Sequence, residues 1–189
     1  MGKTTHQEKG FSLIELMFTI ALLAILLGLG VPSLQSYLTR NTMRTLSNDF
    51  KLSMMRARTE AVSRGQCVTI CMSSTIGGTN RCATTGTNWG TGWIVFENPT
   101  CAAVVSTSPN SANGQEIIFA QQGVASRYQL NAGNNRRSIT FNARGASGVG
   151  GASSFNLVDS DASGTDTINQ TLCVDMAGRV RSTEYGSTC

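Results

Sequence analysis

The sequence predicts an α+β protein, with one long N-terminal helix over about residues 11–64 packed on an antiparallel β-sheet domain at 65–189. Three observations predict it. From Phe11 to Val31 the chain is apolar and Glu15 is its only charge. From Ser33 to Ser63 apolar residues recur at helical spacing. Beyond Gly65 the apolar pattern takes the period of two that strands use, and all six cysteines lie there.

The apolar run comes first. As a helix, 21 residues rise about 31 Å, roughly the thickness of a bilayer's hydrocarbon core. This predicts a transmembrane half at 11–31 and an amphipathic half at 32–64. Glu15 does not suit a simple anchor, because an acid at the centre of a lipid-facing helix costs about 2.5–3.5 kcal/mol on insertion scales. It needs a cation that the anchor does not supply. Residues 1–10 are polar, with Lys3 and Lys9 ahead of the apolar run. A secretory signal has its small-residue cleavage site after the apolar stretch, whereas here the small residue, Gly10, precedes it.

Gly28, Gly30 and Pro32 weaken the helix where the apolar run ends, so a kink or loosened stretch is expected there. The stripe Leu34, Leu38, Leu46, Phe50, Met54, Ala57 and Ala61 is expected to face a sheet, with Arg40, Arg44, Lys51, Arg56 and Arg58 mostly on other positions. Gly65 after Arg64 is a suitable helix stop.

Strands are expected at Gln66–Met72 and Gly92–Glu97, forming a hairpin across a long loop, Ser73 to Gly90, that holds Cys82. On the first strand, Cys67, Thr69 and Cys71 share one face and Val68, Ile70 and Met72 the other. Asn98 to Gly114 is a loop pinned by Cys101. Further strands are expected at Gln115–Ala120, Arg127–Leu130, Arg136–Asn142 and Ser154–Val158. The glycine-rich 145–151 stretch is no phosphate loop, since no lysine follows it and no helix pattern opens there. Asp159 to Asp166 superficially resembles a calcium loop but lacks the glutamate at the twelfth position, and reads as an acidic turn. The last hairpin joins Thr171–Asp175 to Arg179–Ser182.

The composition narrows the function. Net charge is +4, or +3 once Lys3, Glu8 and Lys9 are removed, which does not announce a nucleic-acid binder. Six cysteines in an exported domain read as disulfides. Cys173 and Cys189 bracket the last hairpin and can pair, a closure worth about 3 kcal/mol on the chain-entropy model. The other four cysteines allow three pairings; Cys71–Cys82 as a local loop with Cys67–Cys101 is favoured. Zinc would need Cys-x-x-Cys pairs or histidines, so no metal and no cofactor is expected. The only histidine, His6, lies in residues 1–10. The rest of the chain lacks the usual acid–base group, and no enzyme is expected.

Gly178-Arg179-Val180-Arg181 is the one place where binding chemistry is expected near the C-terminus. On a strand, residues i and i+2 share a face about 6.6 Å apart, and guanidinium forks at that spacing suit successive phosphates. Arg136, Arg137 and Arg144 extend the patch if the fold brings them near. A solvated strand face is the competing reading.

Lys9-Gly10-Phe11-Ser12-Leu13-Ile14-Glu15-Leu16 resembles the class III signal of type IV pilins and type II secretion pseudopilins. That resemblance implies a pilin fold, removal of 1–10 by a prepilin peptidase between Gly10 and Phe11, and methylation of the new Phe11 amine. It also implies that Glu15 pairs with the Phe11 amine of a neighbouring subunit. Met54 to Gly65 resembles the "ARSEAVRRG" stretch of the FimT/GspH branch of minor pilins and pseudopilins. Gly92-Trp93-Ile94-Val95-Phe96 resembles its "GWLVF", and Ile139-Thr140-Phe141 with Arg144-Gly145 its "ITF" and "RG". FimT-type subunits carry a GRxR motif that binds DNA, matched here by Gly178, Arg179 and Arg181. Related GspH-type and FimU-type subunits carry similar endings, and the six cysteines with Cys189 look more like FimU-type subunits.

The resemblance therefore implies a minor pilin that assembles into and primes a type IV pilus. The alternatives are a DNA-binding minor pilin for natural transformation and a GspH-type pseudopilin. Implied partners are other major and minor pilins, the peptidase, an inner-membrane assembly platform and, for the second reading, double-stranded DNA. The implied location is the bacterial inner membrane, crossed once with a cytoplasmic N-terminus before processing. The domain would be periplasmic and later part of a pilus at the cell surface.

Overall fold

In a computed structural model, the description covers residues 11–102, 109, 114–147, 152–161 and 169–189, with the backbone alone over 29–33. The predicted leader, 1–10, lies outside the described residues. Helix α1 spans Leu13–Arg64. Its backbone is helical without interruption, so the loosening expected at Gly28 to Pro32 is not a break in the helix. The chain divides into two compact units, Met1–Asn41 and Thr42–Cys189.

Among the described residues of the second unit, eight strands follow α1 and form two four-stranded antiparallel sheets. They are β1 (Val68–Met72), β2 (Gly92–Glu97), β3 (Ile117–Gln122), β4 (Tyr128–Ala132), β5 (Ser138–Phe141), β6 (Ser153–Asp159), β7 (Gln170–Val174) and β8 (Val180–Glu184). One sheet has the order β3-β2-β1-β5 and the other β4-β6-β7-β8. This is the expected α+β architecture of a helix packed on antiparallel sheet. The third strand sits later than its apolar run suggests, because Gln122 pairs with Gly92 and a bulge shifts the register between Val95 and Phe96.

The core lies between the helix and both sheets. Met43, Leu46, Phe50, Met54, Ala57 and Ala61 are buried. Leu34 and Leu38, expected on the same stripe, are exposed, so the buried line begins only at Met43. Phe50 meets Trp89 and Trp93 edge-on, at 5.7 and 5.6 Å between ring centres, and lies 4.7 Å from Phe155 of β6. One helical side chain thus joins both sheets through aromatic contacts. Trp89 stands in a short 3-10 turn, Trp89–Thr91, inside the expected loop, and its indole N–H donates to the Arg136 carbonyl at 2.8 Å.

Strand β1 is buried on both faces. Val68, Ile70 and Met72 join the main core, while Cys71 packs with Cys82, Ile94 and Phe96 on the other side. Disulfides join Cys67 to Cys101, Cys71 to Cys82 and Cys173 to Cys189. The second ties the loop after β1 back to β1, and the first ties the loop after β2 to the residue just before β1.

Candidate functional site

Two segments carry candidate chemistry. The first is the start of α1. Phe11 precedes the helix and is 82% exposed. Glu15 stands in the first turn, where the helix dipole favours a carboxylate. It is exposed and has no hydrogen-bond or ion-pair partner among the described residues. Around it Leu13, Ile14, Leu16, Met17 and Phe18 are all exposed. Gly10, the other half of the expected cleavage point, lies outside the described residues. Among the described residues no helix is long and apolar enough to cross a membrane.

The second segment is built from two turns that touch. Asp175 N–H donates to the Arg179 carbonyl at 3.0 Å, and Gly178 N–H to the Asp175 carbonyl at 2.9 Å. This makes a three-residue β7–β8 turn whose last residue takes φ +75°, a glycine position. A Cβ at Gly178 would overlap the Gly145 carbonyl oxygen and lie 3.0 Å from the Phe141 ring. Gly145 belongs to the turn after β5. Its carbonyl accepts from Arg58 Nε of α1 at 3.0 Å. Ser147 N–H donates to the Met176 carbonyl at 3.1 Å, and its hydroxyl to the Asp175 carbonyl at 2.8 Å. The glycine of Gly178-Arg179-Val180-Arg181 is therefore fixed by packing, whatever the arginines bind.

Arg179 lies just before β8, not on it. Asp175 takes both its backbone N–H, at 2.9 Å, and its guanidinium Nε, at 2.8 Å. The backbone donor, then the side chain, holds the Asp175 carboxyl below the usual carboxylate range. Arg181 stands opposite Cys173 in the β7–β8 register, is exposed, and has no ion pair among the described residues. Arg144 is exposed on the turn that touches Gly178. Arg136 and Arg137 enter β5 at its other end, so four strand residues, about 13 Å, separate them from the Arg144 turn. The fold brings Arg144, Gly178 and Arg179 together and leaves Arg136 and Arg137 apart.

The sequence reading missed the pairing of Arg127 with Asp159. Arg127 Nε and Nη2 donate to the two carboxylate oxygens of buried Asp159 at 2.6 and 2.7 Å, and Asp161 adds a contact at 3.2 Å. The Arg127 hydrogen bonds hold the Asp159 carboxyl low, and that of Asp159 raises Arg127. Nothing local signals this pair. The partners come from β4's entry and β6's exit, which the register places side by side. At the end of α1, Arg64 bridges Glu60 and Glu97.

The family profile described as type II transport protein GspH matches residues 46–178, and that of the prokaryotic N-terminal methylation motif matches residues 5–31. No curated protein matches the chain. Two crystal structures of the type IV minor pilin FimU from Pseudomonas aeruginosa strain PAO1 are similar in fold. One has a TM-score of 0.55 at 18% identity, covering 77% of this chain and 90% of that one. The other has a TM-score of 0.53 at 17% identity, covering 74% and 91%.

Proposed function

The chain belongs to the GspH family and carries the N-terminal methylation motif, and on that basis we propose that it is a minor pilin that enters and primes a type IV pilus. The observation that carries this reading is Glu15. Among the described residues its carboxylate has no partner, and it sits among exposed apolar side chains at the head of a helix. In lipid such a charge is costly until a cation reaches it, and the Phe11 amine of an adjoining subunit is the cation the motif would supply. On this reading residues 1–10 are removed, 11–31 span the inner membrane, and the domain stands in the periplasm before export in the filament. Its partners are then other pilins, the prepilin peptidase and the assembly platform.

The test is Glu15→Ala in cells that build the filament. Sheared filaments should lose the subunit and surface pili should fall in number, while the precursor is still cut before Phe11. Unchanged incorporation overturns the proposal. The family's description as type II transport protein GspH supports a second reading, a subunit of a type II secretion filament. Deleting the gene and measuring pili beside protein secretion separates the two.

DNA capture through Gly178-Arg179-Val180-Arg181 is supported by the exposure of Arg179 and Arg181. Against it, Asp175 already holds Arg179, and Arg136 and Arg137 lie elsewhere. On this third reading the full chain in detergent shows salt-dependent DNA binding. An unchanged affinity in Arg179→Ala with Arg181→Ala removes it.

A further inference from the structure

In Arg144-Gly145 only the glycine is used by the fold. Gly145 takes φ +76° and its carbonyl accepts from Arg58. The Arg144 side chain is exposed and has no hydrogen-bond or ion-pair partner among the described residues. With Gln66, Cys67, Pro99, Cys101 and Asn142, Arg144 lines a cavity of about 370 Å³. That is the size of a pocket for a small ligand or a single side chain.

Three chain segments meet there, and each is held in place. The link from α1 to β1 is closed by Gly65 N–H donating to the Val62 carbonyl at 3.3 Å and Gln66 N–H to the Ala61 carbonyl at 3.2 Å. The loop after β2 is tied to that link by the Cys67–Cys101 disulfide and by Asn98 N–H donating to the Cys67 carbonyl at 2.8 Å. Cys101 takes φ +53°, a left-handed backbone that a non-glycine residue keeps only where its surroundings fix it. The turn after β5 closes on Asn142, whose Oδ1 accepts from Arg144 N–H at 2.9 Å and Ala146 N–H at 3.1 Å. The walls therefore stand before any ligand arrives, which lowers the ordering cost of binding.

The polar groups left over select the ligand. Asn142 Oδ1 is occupied, so the group it has to offer is its NH2, with two donors. Arg144 adds a guanidinium fork, a match for a planar carboxylate. The Gln66 side chain has no partner among the described residues, and none of the lining residues is acidic. The negative end of the α1 dipole lies close by, but its effect fades within the last turn and the cavity holds a full cation. One cation beside neutral amides suits a single negative charge. A phosphate polymer is held by a row of cations, and Arg136 and Arg137 stand at the other end of β5.

We propose that this cavity binds a carboxylate of a neighbouring polypeptide, on an acidic side chain or a chain end, through Arg144 and the Asn142 amide. The inference takes the neighbour from the filament reading above and adds a contact made by the β-domain.

The test titrates the isotope-labelled full chain in detergent with three tripeptides. One is capped and has a central aspartate, one has a free C-terminal carboxylate, and one is capped and neutral with a central asparagine. NMR follows the Asn142 and Gln66 side-chain amides and the Arg144 Nε–H. At least one acidic peptide should shift these signals saturably, with a Kd on the order of 1–10 mM, while the neutral one does not. The tighter of the two acidic peptides names the source of the carboxylate. Arg144→Ala should weaken binding roughly tenfold at an unchanged unfolding midpoint, and Arg144→Lys, which keeps the charge without the fork, should weaken it less. Equal shifts with the neutral peptide, no shifts, or an affinity indifferent to Arg144→Ala overturn the inference. So do shifts centred on Arg179 and Arg181, or inorganic phosphate binding more tightly than either acidic peptide. Because binding is read on the isolated chain, it can fail while Glu15→Ala still blocks incorporation, and the filament reading can fail while the carboxylate site stands.

Discussion

Compare two carboxylates. Asp159 is buried in the β-domain, and Arg127, just before β4 and 32 positions away in sequence, grips both its oxygens. Glu15 stands among apolar side chains at the other end of the chain and has no partner among the described residues. The same contrast runs through the rest of each unit. In the domain Phe50, Trp89 and Trp93 are fully buried, whereas Phe11, Leu13 and Phe18 near Glu15 are more than half exposed. Most of the domain's large side chains are covered from within, although Ser47 Oγ and Trp93 Nε1 are buried without a hydrogen-bond partner among the described residues, whereas the side chains around Glu15 are exposed. A unit with a buried core and a segment with its apolar side chains uncovered thus share one continuous helix.

Four substitutions break or sharpen this contrast. Phe50→Ala removes the ring that joins both sheets and should destabilise the domain by about 3–5 kcal/mol, read from denaturant unfolding in detergent. Gly178→Ala places a methyl group against the Gly145 carbonyl at a positive φ and should cost about 1–3 kcal/mol in the same measurement.

Acid comes next. Because the folded-state values of Asp159 and Asp175 are depressed, their contribution is present above the unfolded carboxyl value of about 3.9 and is lost as pH falls through the folded value. Arg127→Met leaves the buried Asp159 without its cation, so acid unfolding should begin at higher pH than in the parent. Coincident acid transitions would show that the pair contributes nothing. Glu15→Ala should change domain stability by less than about 0.5 kcal/mol, as expected for an exposed site. A large shift would mean that the acid serves the domain after all.

Much of the fold could be read from the chain. Gly65 does end the helix beyond Arg64, and β2 begins and ends where the Gly92–Glu97 apolar run does. The two faces of β1 follow from alternation. What could not be read depends on distant partners. Trp89 lies in a run of Ser, Thr, Gly and Asn that signals a loop, and only Phe50 and Phe155, far off in sequence, explain its burial. Arg127 and Asp159 meet through the β4–β6 register, which no local pattern encodes. Leu34 and Leu38 share the spacing of the buried stripe, yet periodicity marks a face without saying how far along the helix it is covered. At the candidate sites, the oddity of Phe11 and Glu15, a charge inside an apolar run behind a glycine, is local and visible in the chain alone. The company Arg179 keeps with Asp175 depends on how the turn closes.

The meeting of Arg58, Gly145 and Gly178 has a mechanical consequence. One carbonyl oxygen receives the helix from one side and lies against the β7–β8 turn on the other. A pull along the axis of α1 would therefore reach both sheets through a short rigid linkage instead of a slack loop. Within Thr42–Cys189, the helix and the two sheets would then take up load together.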